Sequence, residues 1–135
     1  MPEPDLAKLL AALAPVPIEG EYVFASVTDA QFSALSAEDM LGSFREPEGL
    51  SVLVPQAVAR QQGFAHEGAY AGITLGVYSS LQAVGLTAAV ASALAARGIP
   101  ANVIAACCHD HVFVPVEQLA MALEVLHSLS GEAGG

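Results

Sequence analysis

The sequence predicts an α+β fold of two tandem βαββαβ-type units, with antiparallel sheets and helices on one face. Three observations predict it. Two short β-branched runs end in proline, Val52-Leu53-Val54-Pro55 and Val112-Phe113-Val114-Pro115, and they recur at an offset of 60 residues. Each is followed by a helix-forming stretch. The 135 residues are 54% hydrophobic and 13% charged, which excludes disorder and allows a large core for the size.

The elements follow in order. Asp5 to Ala14 reads as a helix, because Leu6, Leu9, Leu10 and Leu13 recur at helical spacing and Asp5 suits an N-cap after Pro4. Pro15 and Pro17 end it. Tyr22 to Val27 is rich in aromatic and β-branched residues and reads as a strand. Residues 28–48 read as a long loop with short helical turns. Leu50 to Val54 is a strand stopped by Pro55, and Gln56 to Gln62 is a short helix with Gly63 as its C-cap. Tyr70 to Tyr78 is a strand, and Leu86 to Ala96 an Ala-rich helix closed by Arg97 and Gly98. Asn102 to Cys108 is a strand, joined through a turn at His109-Asp110-His111 to a strand at Val112 to Val114. Val116 to Leu129 is a helix with Leu119, Leu123 and Leu126 on one face.

The halves align as an internal duplication. Leu13 and Tyr22-Val23-Phe24 match Leu94 and Val103-Ile104-Ala105 at an offset of 81 residues, beside the offset of 60 at the proline-ended strands. The second half reads β-α-β-β-α, and one closing strand completes the split βαβ of ferredoxin-like units. Residues 1–69 are then a first unit lacking its opening strand. Residues 70–130 are a second lacking its closing strand, and residues 131–135 read as a disordered tail. Open sheet edges are a liability. The missing positions are therefore expected to be filled by the other half or by a partner chain, and a homodimer is expected.

The charge excludes several functions. Four Lys and Arg face fourteen Asp and Glu, and the four basic residues, Lys8, Arg45, Arg60 and Arg97, are scattered. Nucleic acid and anionic membrane surfaces need clustered cations, so neither is expected as a partner. The acidic N-terminus does not suit a signal peptide, and no apolar run reaches the roughly 20 residues of a membrane span. A cytoplasmic protein is expected. Cys107 and Cys108 are adjacent, which is poor geometry for a mutual disulfide.

Specific strings carry a family resemblance. Gly85-Leu86-Thr87-Ala88-Ala89-Val90, followed by Leu94-Ala95-Ala96-Arg97-Gly98-Ile99-Pro100-Ala101-Asn102-Val103, resembles the signature of ACT domains. There a glycine opens the first helix, and Gly-Ile-x-x-Asn-Val leads into the second strand. Ile73-Thr74-Leu75, Ser79 to Ala88, His109 to Pro115 and Phe44-Arg45-Glu46 with Glu48-Gly49-Leu50 resemble one family of short bacterial tandem ACT proteins. The pairing is similar to the ACT modules of aspartate kinases and of the cytosolic arginine sensor of the animal TOR pathway. Cys107, Cys108 and Tyr78 depart from the family pattern, which has aromatics and a histidine there. The resemblance implies a regulatory protein that binds an amino acid or similar small molecule at an ACT–ACT interface.

The residues themselves suggest where. Ser79, Ser80, Leu81, Val84, Gly85, Leu86 and Thr87 join a strand to a helix. A helix start offers unpaired N–H groups to a carboxylate, and Gly85 lets the backbone come close. Asn102, Val103 and Ile104 of a neighbouring unit are the expected opposite wall, with Asn102 supplying a donor and an acceptor. The bland alternative is that Ser and Thr only cap the helix. His109-Asp110-His111 beside Cys107 and Cys108 invites a zinc reading, but no second ligand cluster exists and the string suits a polar hairpin tip. A thiol nucleophile with a histidine base is the only catalytic candidate, and the cysteine sits on a strand rather than at a helix start. No enzyme activity, metal or cofactor is expected. A ligand-free interaction module and a thiol- or metal-dependent enzyme are the alternatives.

Overall fold

A computed structural model describes residues 5–77 and 84–134. In chain order its elements are α1 (Leu6–Ala11), β1 (Pro15–Pro17), β2 (Tyr22–Val27), α2 (Asp29–Ser33), β3 (Gly42–Glu46), β4 (Gly49–Pro55), α3 (Gln56–Gln62), β5 (Tyr70–Leu75), α4 (Leu86–Ala96), β6 (Asn102–Ala105), β7 (Asp110–Pro115) and α5 (Leu119–Gly134). Two compact units divide the chain. The larger joins Met1–Glu19 to Ala71–Gly135, and the smaller is Gly20–Tyr70.

In the smaller unit β4 lies between β3 and β2, antiparallel to both. Val23, Ala25 and Val27 alternate inward from β2, as do Leu50, Val52 and Val54 from β4, onto Ala59 of α3 and Phe64. Residues 28–48 are more ordered than their composition suggests. Thr28 and Gln31 form a capping box, with Gln31 N–H donating to Thr28 Oγ1 (3.1 Å) and Thr28 N–H to Gln31 Oε1 (2.8 Å), which starts α2. β3 then pairs with β4 through Gly42↔Leu53 to Glu46↔Gly49. All five β3 residues are exposed, so the strand has no burial alternation for a sequence pattern to report. Tyr22 pairs with Tyr70, whose ring meets Phe24 edge-on at 5.2 Å.

In the larger unit the strands stand in the order β1-β5-β7-β6. Thr74 bonds His111 and a side chain on Gly72 would meet Phe113, so β7 runs antiparallel to β5. β6 pairs antiparallel with β7 from Asn102↔Phe113 to Ala105↔Asp110. The closing position beside β5 is filled by β1, through Pro15↔Leu75, Val16↔Thr74 and Pro17↔Ile73. Two prolines fit there because the even positions carry the ladder. Ile18 N–H donates to Gly72 O (2.8 Å) and Gly76 N–H to Ala14 O (3.0 Å), so the missing Pro15 and Pro17 donors fall on the outer side. Leu9 and Leu13 join Val90 and Leu94 of α4 and Leu126 of α5 over Ile73, Leu75, Val112 and Val114.

This order corrects the repeat alignment. β3 and β4 correspond to β6 and β7 at an offset of 60 residues, but the counterpart of β2 is β5, not the Val103 strand. The smaller unit therefore opens with β2, and α1 is a segment of the larger unit rather than the partner of α4. The β6–β7 turn also differs from its expected place. Cys107 and Cys108 form the tip, while Asp110 and His111 already belong to β7. Helix α5 continues through Gly134, where composition alone reads a tail, and Ser130 Oγ donates to Ala11 O (3.0 Å) near its end. Among the described residues no helix is long and apolar enough to cross a membrane.

Candidate functional site

The strand-to-helix junction after β5 is the site the sequence singles out. Ser79, Ser80 and Leu81 lie outside the described residues. Val84 is exposed, Gly85 precedes α4 with φ 101°, Leu86 is buried and Thr87 is exposed. A φ of 101° excludes most side chains, so glycine is required here for backbone reasons. The space above Gly85 is bordered by Leu6 of α1, whose Cδ2 would stand 3.1 Å from an added Cβ. Gly85→Val would therefore strain the backbone and press on Leu6, and cannot serve as a clean probe of binding. Among the described residues no side chain caps the N-terminus of α4.

The second wall stands elsewhere in the unit. Asn102 Nδ2 donates to Phe113 O at 3.2 Å, and Asn102 and Ile104 face away from the helices while Val103 packs on the core. Asn102 is level with Gly72, and Ala105 with Asp110 and Leu75, so Asn102 stands about 10 Å along the sheet from the end of β5.

One group the sequence pattern underrated is at the near end. Asp110 is 8% exposed, the sole charged or polar residue buried to this degree among the described residues. It shares the helix-facing side of β7 with Val112 and Val114, and its register places it beside Leu75. Burial raises its carboxyl above the usual value, with His111 and His109 opposing the rise. The alternation Asp110-Val112-Val114 was the available signal, since period two puts all three on one face.

His111 points to the other face, where Nδ1 lies 3.0 Å from Thr74 Oγ1. Burial lowers its pKa from 6.5, His109 lowers it further and Asp110 partly restores it. A lowered pKa means that the folded state favours neutral His111. Its contribution to stability is complete above pH 6.5 and is lost as pH falls through the lower folded value. Urea midpoints followed from about pH 8 to pH 5 should fall for the parent and fall less for His111→Gln, which keeps a partner for Thr74 but does not titrate. Equal slopes would show that His111 titrates as it does in the unfolded chain.

Cys107 and Cys108 are free and exposed at the hairpin tip rather than within a strand. Among the described residues no three His, Cys, Asp or Glu side chains stand close enough to hold a metal. A shallow groove between α4 and α5, lined by Arg97, Ser128 and Glu132, lies at the far end of α4 and holds none of the expected site residues.

Known proteins share this plan. Two ACT domain family models match, over residues 1–71 and residues 69–128. No functionally curated protein is similar in sequence at a significant level. A Vibrio cholerae protein of unknown function, described as a possible transport protein, is 43% identical, covers 93% of this chain and 95% of its own, and superposes with a TM-score of 0.83. The regulatory subunit of aspartate kinase from Thermus thermophilus, in its ligand-free form, is 15% identical over 87% of this chain and 98% of its own, with a TM-score of 0.63. Aspartokinase III of E. coli, solved with aspartate and ADP, is 13% identical over 86% of this chain and 33% of its own, with a TM-score of 0.65. The family matches span both halves of the sequence, and the split βαβ order stands in the larger unit: this chain is a tandem member of the ACT domain family.

Proposed function

We propose that this chain is a small regulatory protein, not an enzyme, that binds an amino acid or similar small anion through its ACT modules. The observation that carries the reading is the start of α4 after Gly85, which no side chain caps among the described residues, in a chain with only four basic residues. Backbone N–H groups and the helix dipole then do for a carboxylate what Arg does elsewhere. The contacts proposed are Ser79, Ser80, Leu81, Val84, Gly85, Leu86 and Thr87. Asn102, Val103 and Ile104 of a second copy close the site, which makes the working form a homodimer. A cytoplasmic location goes with this role. The aspartate kinase regulatory subunit supports the reading by sharing the fold over nearly its whole length.

Thermal-shift measurements across the twenty L-amino acids test it. A ligand that binds only the folded state raises stability by about 2.7 kcal/mol at a hundredfold excess over Kd, so at least one amino acid should raise the melting temperature. Asn102→Leu should weaken that ligand by about 1–3 kcal/mol, because one polar ligand group loses its partner. A dimer by light scattering with no shift from any amino acid would favour the second reading, a ligand-free interaction module. That reading rests on edge strand β3, where Phe44 is 74% exposed.

A further inference from the structure

The tip of the β6–β7 hairpin holds a pair of residues that neither burial nor turn chemistry explains. The two strands are paired as far as Ala105↔Asp110, and beyond that Ala106 N–H donates to His109 O at 3.1 Å. Cys107 and Cys108 are therefore the whole of a two-residue loop. Loops of this length favour Asn-Gly, Asp-Gly or a leading Gly, whose positive φ matches the twist of the strands. Cysteine has no such advantage, and among the described residues Ala14 is the one non-glycine with positive φ. Free cysteine is also among the residue types most often buried. Here both are free and both are exposed.

Two thiols on neighbouring residues have a restricted chemistry. A disulfide suits Cα atoms about 4.4–6.8 Å apart, whereas neighbours across a trans peptide stand about 3.8 Å apart. A direct S–S bond is therefore strained, and an atom inserted between the sulfurs lengthens the bridge and relieves the strain. Zinc does not suit that place. It takes four ligands in a structural site, and among the described residues no three His, Cys, Asp or Glu side chains stand close enough to hold a metal. The acceptor that fits is soft, prefers thiolate sulfur, and is satisfied by two sulfurs.

We propose that Cys107 and Cys108 form a dithiol site for a thiophilic trivalent metalloid, of which arsenous acid is the simplest. Two As–S bonds form and two As–O bonds break. The two hydroxyl groups leave as water with the two thiol protons, and the third hydroxyl stays on arsenic. Arsenic remains trivalent and neither sulfur is oxidised, so no further reactant is needed. The hairpin supplies the affinity. Once one sulfur has bonded, the second is held beside it at an effective concentration of about millimolar or more, so the second bond closes within one chain. The site is independent of the α4 reading, and either can fail without the other.

The experiment uses the full chain, fully reduced and freed of reductant, with arsenite. Free thiols should fall from two per chain to none, and intact mass should show one arsenic on a single chain. 2,3-Dimercaptopropanol should reverse the uptake, while a monothiol at the same thiol concentration should not. Zinc in place of arsenite should leave both thiols open to alkylation. Cys107→Ser and Cys108→Ser change exposed positions and should leave the fold intact. Each should weaken arsenite binding by about a hundred- to ten-thousandfold, the loss of the second, intramolecular bond. If the parent takes up no arsenic, if either single variant binds it as tightly as the parent, or if the arsenic joins two chains, the tip is not a two-sulfur site. Protection of both thiols by zinc would also overturn the assignment, because the pair would then belong to an ordinary metal centre.

Discussion

Leu13→Ala is expected to destabilise the larger unit by about 2–5 kcal/mol, the range for removing a buried leucine and leaving a cavity. Leu13 is fully buried, although it follows a helix of six residues and precedes a strand of three. Neither element is long enough to be stable alone. What holds them is tertiary. Leu9 and Leu13 enter the core formed by α4 and α5, and β1 occupies the closing place beside β5. Urea unfolding gives the magnitude, and hydrogen exchange gives the location. Protection should fall for the amides of β5 and α5 and stay for those paired between β2 and β4, which belong to the smaller unit. A loss below about 1 kcal/mol, or a loss centred on β2 and β4, would show that the N-terminal segment is not part of this core.

That segment is also where sequence reading went furthest astray, and the reason is physical. The leucines of Leu6 to Leu13 repeat at the same helical spacing as those of α4, so a pattern search pairs them. What separates the two is sheet position, which depends on contacts distant in sequence. The proline-ended strands β4 and β7 were legible because each buries three consecutive residues before its proline, Val52-Leu53-Val54 and Val112-Phe113-Val114, and that burial shows as an unbroken apolar run. Their neighbours β3 and β6 keep the same offset but lie at sheet edges, with all five residues of β3 and three of the four of β6 exposed, so their composition says little. The α4 start was legible through Gly85, whose conformation the structure requires. Asp110 was less so, because Asp between two histidines looks like a turn until the two-residue period from Val112 is extended back by one step. The tip belongs to Cys107 and Cys108 instead, which their apolar character disguised.

Gly72 tests the packing on the other face of the same sheet. Val112 and Val114 point at the helices, so Phe113 points away from them and its ring must find cover on the opposite side. It is nevertheless 2% exposed. Gly72 allows this. An added Cβ there would stand 2.6 Å and 2.9 Å from Phe113 Cε2 and Cζ and 2.8 Å from Ile18 Cδ1. The Ile18 methyl is the end of a flexible side chain and can turn aside. The ring is less free, because the Phe113 backbone is paired to Asn102 and its carbonyl also accepts from Asn102 Nδ2. Alanine has the better strand propensity, but that scale spans only about 1 kcal/mol. Overpacking costs about 1–3 kcal/mol, so Gly72→Ala should be net destabilising, and Gly72→Val more so because it adds two methyl groups at the crowded point. The mechanism has its own readout in a double-mutant cycle. Phe113→Leu vacates the ring's place, so Gly72→Ala with Phe113→Leu should cost less than the two single changes together, by a coupling of about 0.5–3 kcal/mol. If Gly72→Ala matches the parent in urea, or if the two changes simply add, the ring does not rest on Gly72 and its burial has another source.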